Sequence, residues 1–296
     1  MFEEATVYCP VVRQDQGSVT VIFSTDHPGF SDREYQLHRS EIARAALEFS
    51  PDGPIPWIDY TEPEQELWQM VATELAAWHE RHACAEYLSG VRALGLATDR
   101  VPQLREVSAA VSALTGFRFA PAAGLVPVRD FYGSLADRCF QATQYVRHVS
   151  YPRFSPEPDM LHEVIGHANA LGHPAFAELY ELFGRTVRRL ESPAAIKVVS
   201  SVFWFSMEYG VVREKGELKV VGASMLSSCG ELEQFQQVPV RALDARAMAA
   251  QSYEVVDYQP VLFCADSFAH LEDFLAGFLH SVDEDTVVPE ASAVAS

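Results

Sequence analysis

Three side chains that can bind a metal ion occur in two short stretches of this sequence. His162 and His167 lie in SPEPDMLHEVIGH (155–167), and Glu208 lies in FWFSMEYG (203–210). Two imidazoles and one carboxylate can cover one face of a metal and leave the other face open, as non-haem Fe(II) oxygenases require. The three residues therefore predict a mononuclear iron site with room for oxygen chemistry.

The spacing of the two histidines differs from that of the HExxH zinc proteases. There the second histidine follows the first by four residues, whereas the residue four after His162 is Gly166. Five residues of a regular helix turn through roughly 500°, so the two rings would point about 140° apart. Both rings reach one metal only if the helix is distorted, which is less costly at a glycine. The alternative is that they are two unrelated polar residues near a helix end.

Glu208 is surrounded in the sequence by apolar side chains. Its neighbours include Phe203, Trp204, Phe205 and Met207. An ionised carboxylate in such surroundings is costly without a compensating cation. A bound metal is the simplest compensation.

These motifs are similar to those of the tetrahydropterin-dependent aromatic amino acid hydroxylases. The resemblance extends from about residue 26 to about residue 280 and suggests a mainly α-helical fold with small β elements, like the catalytic domain of that family. It implies Fe(II), a tetrahydropterin, O₂ as co-substrate and hydroxylation of the ring of a free aromatic amino acid. Besides the two stretches above, it rests on GASMLSSCGE (222–231), TGFRFAPAAGLVPVRDF (115–131), CFQATQYVRH (139–148), HERHACAEYLSG (79–90), DHPGF (26–30) and PIPWIDY (54–60).

The resemblance also implies a role for individual residues. The catalytic metal ligands are His162, His167 and Glu208. The implied pterin-binding residues are Gly124, Val126, Val128, Phe131 and Glu163, the last of which contacts the pterin and not the iron. The implied substrate-binding residues are Arg147, Ser155, Pro158, Asp159, Trp204, Ser227 and Val255.

Some of these residues have a second interpretation from the sequence alone. Phe131 could be an ordinary core residue. Asp159 could pair with Arg147 and orient it towards a substrate carboxylate, because a guanidinium binds carboxylates through two hydrogen bonds. Ser227 could begin the helix that follows it, although Ser228 could do the same.

Phenylalanine is the predicted substrate. Trp204 stands where the tryptophan hydroxylases usually carry Phe, and Val255 stands where tyrosine hydroxylases carry an acidic residue. The expected product is tyrosine, formed by hydroxylation of the para carbon of the phenylalanine ring. Departures from the family at Phe203 and Ser224, usually Tyr and Gly, and at Ala168-Asn169, usually Val-Pro, make meta hydroxylation the alternative. A tyrosine or tryptophan hydroxylase, a zinc hydrolase, and a non-catalytic pterin or amino-acid binder are the remaining hypotheses.

Composition limits the class of protein and its partners. The chain has 296 residues and a net charge of −19, which disfavours binding to nucleic acid or to an anionic membrane. Five scattered cysteines without a CxxC motif favour reduced thiols and a cytoplasmic location. The only partners expected are the small-molecule substrate and cofactors.

We predict a short extension at residues 1–25, a catalytic domain at 26–282 and a disordered acidic tail at 283–296. Because the tail does not resemble the tetramer-forming helix of animal family members, we expect a monomer or a weak dimer. Hydrophobic periodicity and breaker residues predict a strand at 18–24, a loop at 222–228, a hairpin at 211–221 and strands near 253–258 and 260–264. Predicted helices span 31–50, 85–95, 103–115, 129–136, 159–171, 174–190, 193–210, 229–236, 242–251 and 267–279. A further long helix is predicted to begin at Thr61 or Pro63 and to have His79 and His82 in its later part.

Overall fold

The computed structural model describes residues 9–13, 18–154, 157–253 and 257–287. Within these ranges the fold is mainly α-helical with three small sheets, so the predicted fold class is confirmed. The α-helices are α1 (Arg33–Leu47), α2 (Glu62–His82), α3 (Ala85–Leu94), α4 (Leu104–Thr115), α5 (Val128–Leu135), α6 (Asn169–Leu171), α7 (Pro174–Arg188), α8 (Pro193–Phe203), α9 (Ala223–Leu226), α10 (Cys229–Gln234), α11 (Ala245–Ala250) and α12 (Phe268–Ser281).

Two further segments are π-helical, and a single 3₁₀ turn, Phe235–Gln237, follows α10. The first, π-helix A, spans Leu161–Ala168 and runs directly into α6. The second, π-helix B, spans Trp204–Glu208 and continues α8. Both lie in stretches that the sequence predicts to be helical, and only in the first does the histidine spacing point to a distortion.

Helix ends follow the local sequence. Asp32 begins α1 by accepting a hydrogen bond from the backbone N–H of Tyr35, and Ser228 begins α10 by accepting one from Glu231. Gly95 and Gly116 end α3 and α4 with φ of 55° and 78°, a left-handed conformation that glycine adopts without strain. Short-range signals of this kind explain why most predicted helices agree with the structure within a few residues.

The sheets are small and lie around the helices. Strands β1 (Val11–Arg13) and β2 (Val19–Val21) form an antiparallel pair, and β3 (Arg118–Ala122) and β4 (Cys139–Thr143) form a parallel pair joined through α5. A four-stranded sheet has the order β6-β5-β8-β7. Its members are β5 (Val211–Glu214), β6 (Glu217–Val220), β7 (Val240–Ala242) and β8 (Leu262–Ala265).

Aromatic side chains fill the core between α5, α7 and α8. Phe203 is fully buried, and the rings of Tyr132, Tyr180 and Phe183 approach it edge-on at centroid distances of 5.0–5.5 Å. Edge-to-face pairs at such distances stabilise a core beyond the area they bury. This packing places α8 against α7, which follows π-helix A and α6 in the chain. It therefore also holds π-helix B, the continuation of α8, close to π-helix A.

Several predicted elements need correction. Residues 222–228 are not only a loop, because α9 lies within them. The helix predicted at 242–251 is shorter, and β7 precedes it. Tyr253 and Tyr258 are not in strands, and 254–256 fall outside the described residues. Short segments like these carry too little periodicity to be assigned from sequence.

The start of the predicted acidic tail has a structural contact. The Glu284 carboxylate accepts hydrogen bonds of 2.7 Å from the backbone N–H groups of Glu191 and Ser192 at the beginning of α8. Free N–H groups at a helix start favour an acidic partner. Residues 288–296 lie outside the described part of the chain, and the domain boundaries stay a prediction.

No helix in the described ranges combines the length and the apolar character needed to span a bilayer.

Close packing of α5 against α7 gives a first testable prediction. A Cβ added to Gly184 would lie 2.2 Å from the backbone nitrogen of Ala136 and 2.7 Å from the carbonyl oxygen of Tyr132. The Gly184→Ala substitution should therefore lower the free energy of unfolding by about 1–3 kcal/mol. Gly277, in α12, has nothing within 4 Å of its added Cβ. The Gly277→Ala control should be neutral or stabilising by about 0.5–1 kcal/mol, because it removes flexibility from a helix interior.

Denaturant unfolding at equal m-values measures both effects. Equal stability of the two variants would contradict the close approach of α5 and α7.

Candidate active site

The three predicted metal ligands meet at one point. His162 Nε2 and His167 Nε2 are 2.9 Å apart, and Glu208 Oε1 is 3.3 Å from His167 Nε2. Glu208 Oε2 lies 3.9 Å from His162 Nε2. Two histidine nitrogens bound at right angles about 2.1 Å from a first-row metal would be about 3.0 Å apart. The spacing of the donor atoms therefore fits a single metal ion.

The π-helical backbone explains how histidines five residues apart converge. In a π-helix each N–H bonds to the carbonyl five residues earlier, so residues at i and i+5 lie on one face. The Asn169 N–H bonds in this way to Val164 O at the end of π-helix A. The Tyr209 N–H bonds to Trp204 O at 2.9 Å in π-helix B, just beyond Glu208. The distortion predicted between His162 and His167 is therefore present, and a second one, which was not predicted, lies in the helix that carries Glu208.

Gly166 has a packing role in addition to the expected helix distortion. A Cβ on Gly166 would lie 2.7 Å from the carbonyl oxygen of Ala223 in α9. A Cβ on Gly222, just before α9, would lie 2.2 Å from the carbonyl oxygen of Glu208. The two glycines thus allow α9 to contact both π-helices directly.

Each imidazole is oriented through its second nitrogen. His167 Nδ1 lies 2.8 Å from Tyr180 Oη, and His162 Nδ1 lies 3.2 Å from Ser227 Oγ. With Nε2 directed at a metal, the ring proton resides on Nδ1, which then donates to these oxygens. Metal-binding histidines commonly have such a partner, which sets the tautomer and the ring angle.

The charges of the site are coupled in a dry environment. His167 and Glu208 each have 2% of the side chain exposed. Burial and the neighbouring His167 lower the pKa of His162 to about 4, so this ring is neutral at pH 7. Although burial alone would raise it, the two histidines hold the pKa of Glu208 well below its ordinary value. A neutral imidazole and an ionised carboxylate are the forms that bind metal ions.

A cavity opens above the three donor atoms. Its lining includes residues from the predicted metal, pterin and substrate sets, so the structure brings the three sets together. From these sets it contains His162, His167, Glu208, Gly124, Val126, Phe131, Glu163, Arg147, Pro158, Trp204 and Ser227.

Four of the five predicted pterin-binding residues line this cavity. Val128 does not, since it begins α5 and packs on the core. Phe131 is 4% exposed and contacts Phe140 and Phe203 edge-on, so its ring belongs to the core as well as to the cavity wall. The core interpretation of Phe131 therefore agrees with the structure, and its contact with a pterin stays a prediction.

Glu163 lies nearer the two histidines than a regular helix would place it. One of its carboxylate oxygens is within 4.8 Å of a ring nitrogen of each histidine. Burial raises the pKa of Glu163 to about 8, and its Oε1 accepts a 3.0 Å hydrogen bond from the backbone N–H of Thr143. A carboxyl group that is neutral near pH 7 is a poor metal ligand and can act as a hydrogen-bond donor.

Arg147 and Asp159 form the predicted pair. Arg147 Nε and Nη2 donate to the two oxygens of Asp159 at 2.9 and 2.8 Å, and both side chains are buried. Asp159 also accepts hydrogen bonds from the backbone N–H groups of Arg147 and His162. The pair therefore connects the cavity wall to the start of the metal helix.

Trp204 contacts two tyrosine rings and is hydrogen-bonded at its nitrogen. Its ring stacks on Tyr253 at a centroid distance of 4.6 Å and contacts Tyr209 at 4.7 Å. The indole N–H donates to Gln259 Oε1 at 2.9 Å, and the Gln259 backbone N–H donates to Glu231 Oε1. Neither Gln259 nor Glu231 was predicted, because no local motif connects them to Trp204.

Two predicted substrate-binding residues, Ser155 and Val255, lie outside the described residues. Ser227 lines the cavity and also contacts His162. The residue that begins α10 is Ser228, so the alternative role of Ser227 as the start of that helix is not observed. Phe203 is buried and is not part of the cavity wall, so it can influence a ligand only indirectly, through neighbours such as Phe131 and Tyr180. Site residues that sequence analysis did not assign include Thr143, Glu157, Tyr180 and Tyr209.

The fold, the two-histidine and one-carboxylate cluster and the cavity above it together define a mononuclear non-haem oxygenase. The chain belongs to the biopterin-dependent aromatic amino acid hydroxylase family, whose sequence model matches residues 16–290. The predicted resemblance is thereby confirmed, and the zinc-hydrolase alternative is not supported.

Individual relatives agree with this assignment. Phenylalanine 3-hydroxylase from Streptomyces coeruleorubidus is 42% identical over 261 residues, covering 88% of this chain and 94% of that protein. Tyrosine 3-monooxygenase from Bos taurus is 40% identical over 259 residues, covering 86% of this chain, which spans about half (52%) of that longer protein. Chromobacterium violaceum phenylalanine hydroxylase, solved with bound iron(III) and oxidised 7,8-dihydrobiopterin, superposes with a TM-score of 0.73 at 25% identity, covering 81% of this chain and 90% of that one.

The buried Glu163 carboxyl predicts a pH effect on stability in metal-free protein. Its pKa in the folded state is about 8, above the ordinary 4.5, so its stabilising contribution is complete below about pH 4.5 and is lost as the pH rises towards 8. The stability of the wild-type protein relative to Glu163→Gln should therefore fall between pH 5 and pH 8, by at most about 1.4 kcal/mol per pH unit. Urea unfolding of both proteins across this range measures the difference.

Glu62→Gln is the control for the loss of one carboxyl group, because Glu62 is exposed at the start of α2. A constant difference between wild type and Glu163→Gln across the pH range would show that Glu163 ionises normally.

Proposed function

We propose that this protein is an Fe(II)- and tetrahydropterin-dependent monooxygenase that hydroxylates the ring of free L-phenylalanine at the meta carbon. The observation that carries the proposal is the three-donor cluster facing a cavity that is also lined by Arg147 and Trp204. Donor atoms for a metal, a charged group for an amino acid and an aromatic surface thus line one space.

The residues present fit both cofactors. His162, His167 and Glu208 would hold iron, while Phe131 and the 124–126 backbone would hold the pterin beside it. When bound, iron supplies open coordination positions for O₂ and the pterin supplies two electrons. The protein orients the ligands and keeps the site largely dry.

Arg147 is suited to bind the substrate carboxylate. Asp159 and the carbonyl oxygen of Pro152 accept hydrogen bonds from three of its five guanidinium N–H groups. Among the described residues, the other two N–H groups have no acceptor and can bind a carboxylate. Asp159 neutralises the buried guanidinium in the absence of substrate and fixes its plane.

Support for the substrate and for the ring position comes from the relatives and from Trp204. The 42% identical relative, which this chain matches over nearly its whole length, is named a phenylalanine 3-hydroxylase. Trp204 and Pro158 both line the cavity and offer apolar surface for a phenyl ring. Tyrosine is the second candidate substrate, because a tyrosine 3-monooxygenase is 40% identical.

We also propose a cytoplasmic location and a monomeric or weakly dimeric state. The five cysteines are free, which is compatible with a reducing cytoplasm. A monomer or weak dimer is expected, and light scattering at several protein concentrations tests this.

Product analysis is the main test of the proposed function. Purified protein is incubated with Fe(II), tetrahydropterin, O₂ and L-phenylalanine, and ortho-, meta- and para-tyrosine are separated by chromatography. We expect meta-tyrosine from the wild type and from His280→Ala, whose histidine is exposed on α12. Glu208→Ala should lose both product formation and stoichiometric iron. Para-tyrosine would retain the reaction class but refute the ring position, and product from tyrosine alone would refute the substrate.

The Trp204–Gln259 hydrogen bond predicts an effect on substrate binding. Gln259→Leu removes the acceptor and leaves a buried indole N–H unpaired, an effect of about 1–3 kcal/mol. We expect a higher KM for phenylalanine with iron content unchanged, measured by steady-state kinetics and metal analysis. Gln259→Glu keeps an acceptor oxygen and should lie closer to wild type. An unchanged KM in Gln259→Leu would show that this bond does not position Trp204.

A further inference from the structure

Ser224 makes a direct contact with one of the three metal-binding side chains. Its Oγ–H donates a 2.8 Å hydrogen bond to Glu208 Oε2. This is the carboxylate oxygen that lies 3.9 Å from His162 Nε2, whereas the other oxygen, Oε1, lies 3.3 Å from His167 Nε2. The two oxygens of Glu208 therefore have different surroundings. Oε1 lies nearer to a histidine nitrogen, and Oε2 accepts a hydrogen bond from a hydroxyl group.

The backbone of Ser224 is held firmly enough to make this contact a constraint. Ser224 lies in α9, directly after the residues that contact the two π-helices through Gly166 and Gly222. The carbonyl oxygen of Ser224 also accepts a 3.2 Å hydrogen bond from Ser227 Oγ, the group that contacts His162 Nδ1. One residue thus connects the carboxylate ligand to one of the histidine ligands.

From these contacts we infer that Ser224 is a positioning residue that restricts Glu208 to binding the metal through a single oxygen, Oε1. The inference rests on the proposed iron site. A carboxylate with both oxygens free can bind a metal through one or both of them. When a hydroxyl group holds Oε2, the carboxylate occupies one coordination position and a further position stays open on the cavity side.

The position of Ser224 explains why this restriction affects the reaction. Ser224 lines the same cavity as Trp204 and Arg147, so the open position faces the space proposed for substrate and pterin. A carboxylate bound through both oxygens would occupy that position. Loss of an outer partner of a metal ligand typically reduces metal affinity or activity by about 10- to 100-fold.

Crystal structures of Co(II)-loaded protein test the inference without depending on turnover. In the wild type we expect Glu208 Oε1 alone on the metal and Oε2 on Ser224. In Ser224→Ala we expect both oxygens on the metal and one fewer bound water, with a corresponding change in the Co(II) absorption spectrum. Ser224→Thr retains the hydroxyl and should restore one-oxygen binding. Ser112→Ala, on the exposed face of α4, controls for the loss of a serine.

Kinetics provide the second measurement. In iron-loaded enzyme we expect Ser224→Ala to form hydroxylated product about 10- to 100-fold more slowly, with Ser224→Thr close to wild type. One-oxygen binding by Glu208 in Ser224→Ala would overturn the role of Ser224 and leave the metal site intact. Wild-type protein that binds no Co(II) at His162, His167 and Glu208 would overturn the inference together with the proposed iron site.

Discussion

The convergence of two imidazoles and a carboxylate in a nearly dry core is the constraint on which the rest of the structure depends. Glu208 is 2% exposed, and an isolated ionised carboxylate at that depth would be very unfavourable. In the metal-free site His167 supplies the compensating charge, since Glu208 raises the pKa of His167 against the effect of burial. A bound cation would take the place of that proton. The site is therefore arranged for a cation, and its neighbours Tyr180 and Ser227 hold the rings in the orientation that a cation needs.

Maintaining that convergence requires unusual backbone in both metal-bearing helices. The π-helical segments put residues five apart on one face, and they occur where π-helices often occur, at functional sites. The short helix α9 contacts both segments through glycines, and the same helix carries Ser224 to the carboxylate. The geometry of the metal site thus depends on a short segment that contributes no ligand of its own.

The residues proposed to bind pterin and substrate are arranged around the same centre. The Arg147–Asp159 pair connects the cavity wall to the first turn before π-helix A, so the residue proposed to bind the substrate carboxylate and the backbone of the metal helix share one buried ion pair. Removing either partner of such a pair leaves an uncompensated buried charge. On the opposite side, Trp204 is the first residue of π-helix B, so the helix that carries the carboxylate ligand also carries an aromatic wall of the cavity.

The sequence by itself determined the candidate metal-binding residues, the family and most helix boundaries, because these depend on residue type and on local signals such as Asp32 and Gly95. It also required a distorted helix between His162 and His167, since regular geometry cannot bring them together. Only the tertiary structure decided which residues surround the ligands. Tyr180, Ser224, Gln259 and Glu231 act on His167, Glu208 and Trp204 across the fold, and no spacing rule connects them. Their roles arise from contacts between segments far apart in the chain, which local periodicity and capping signals do not encode.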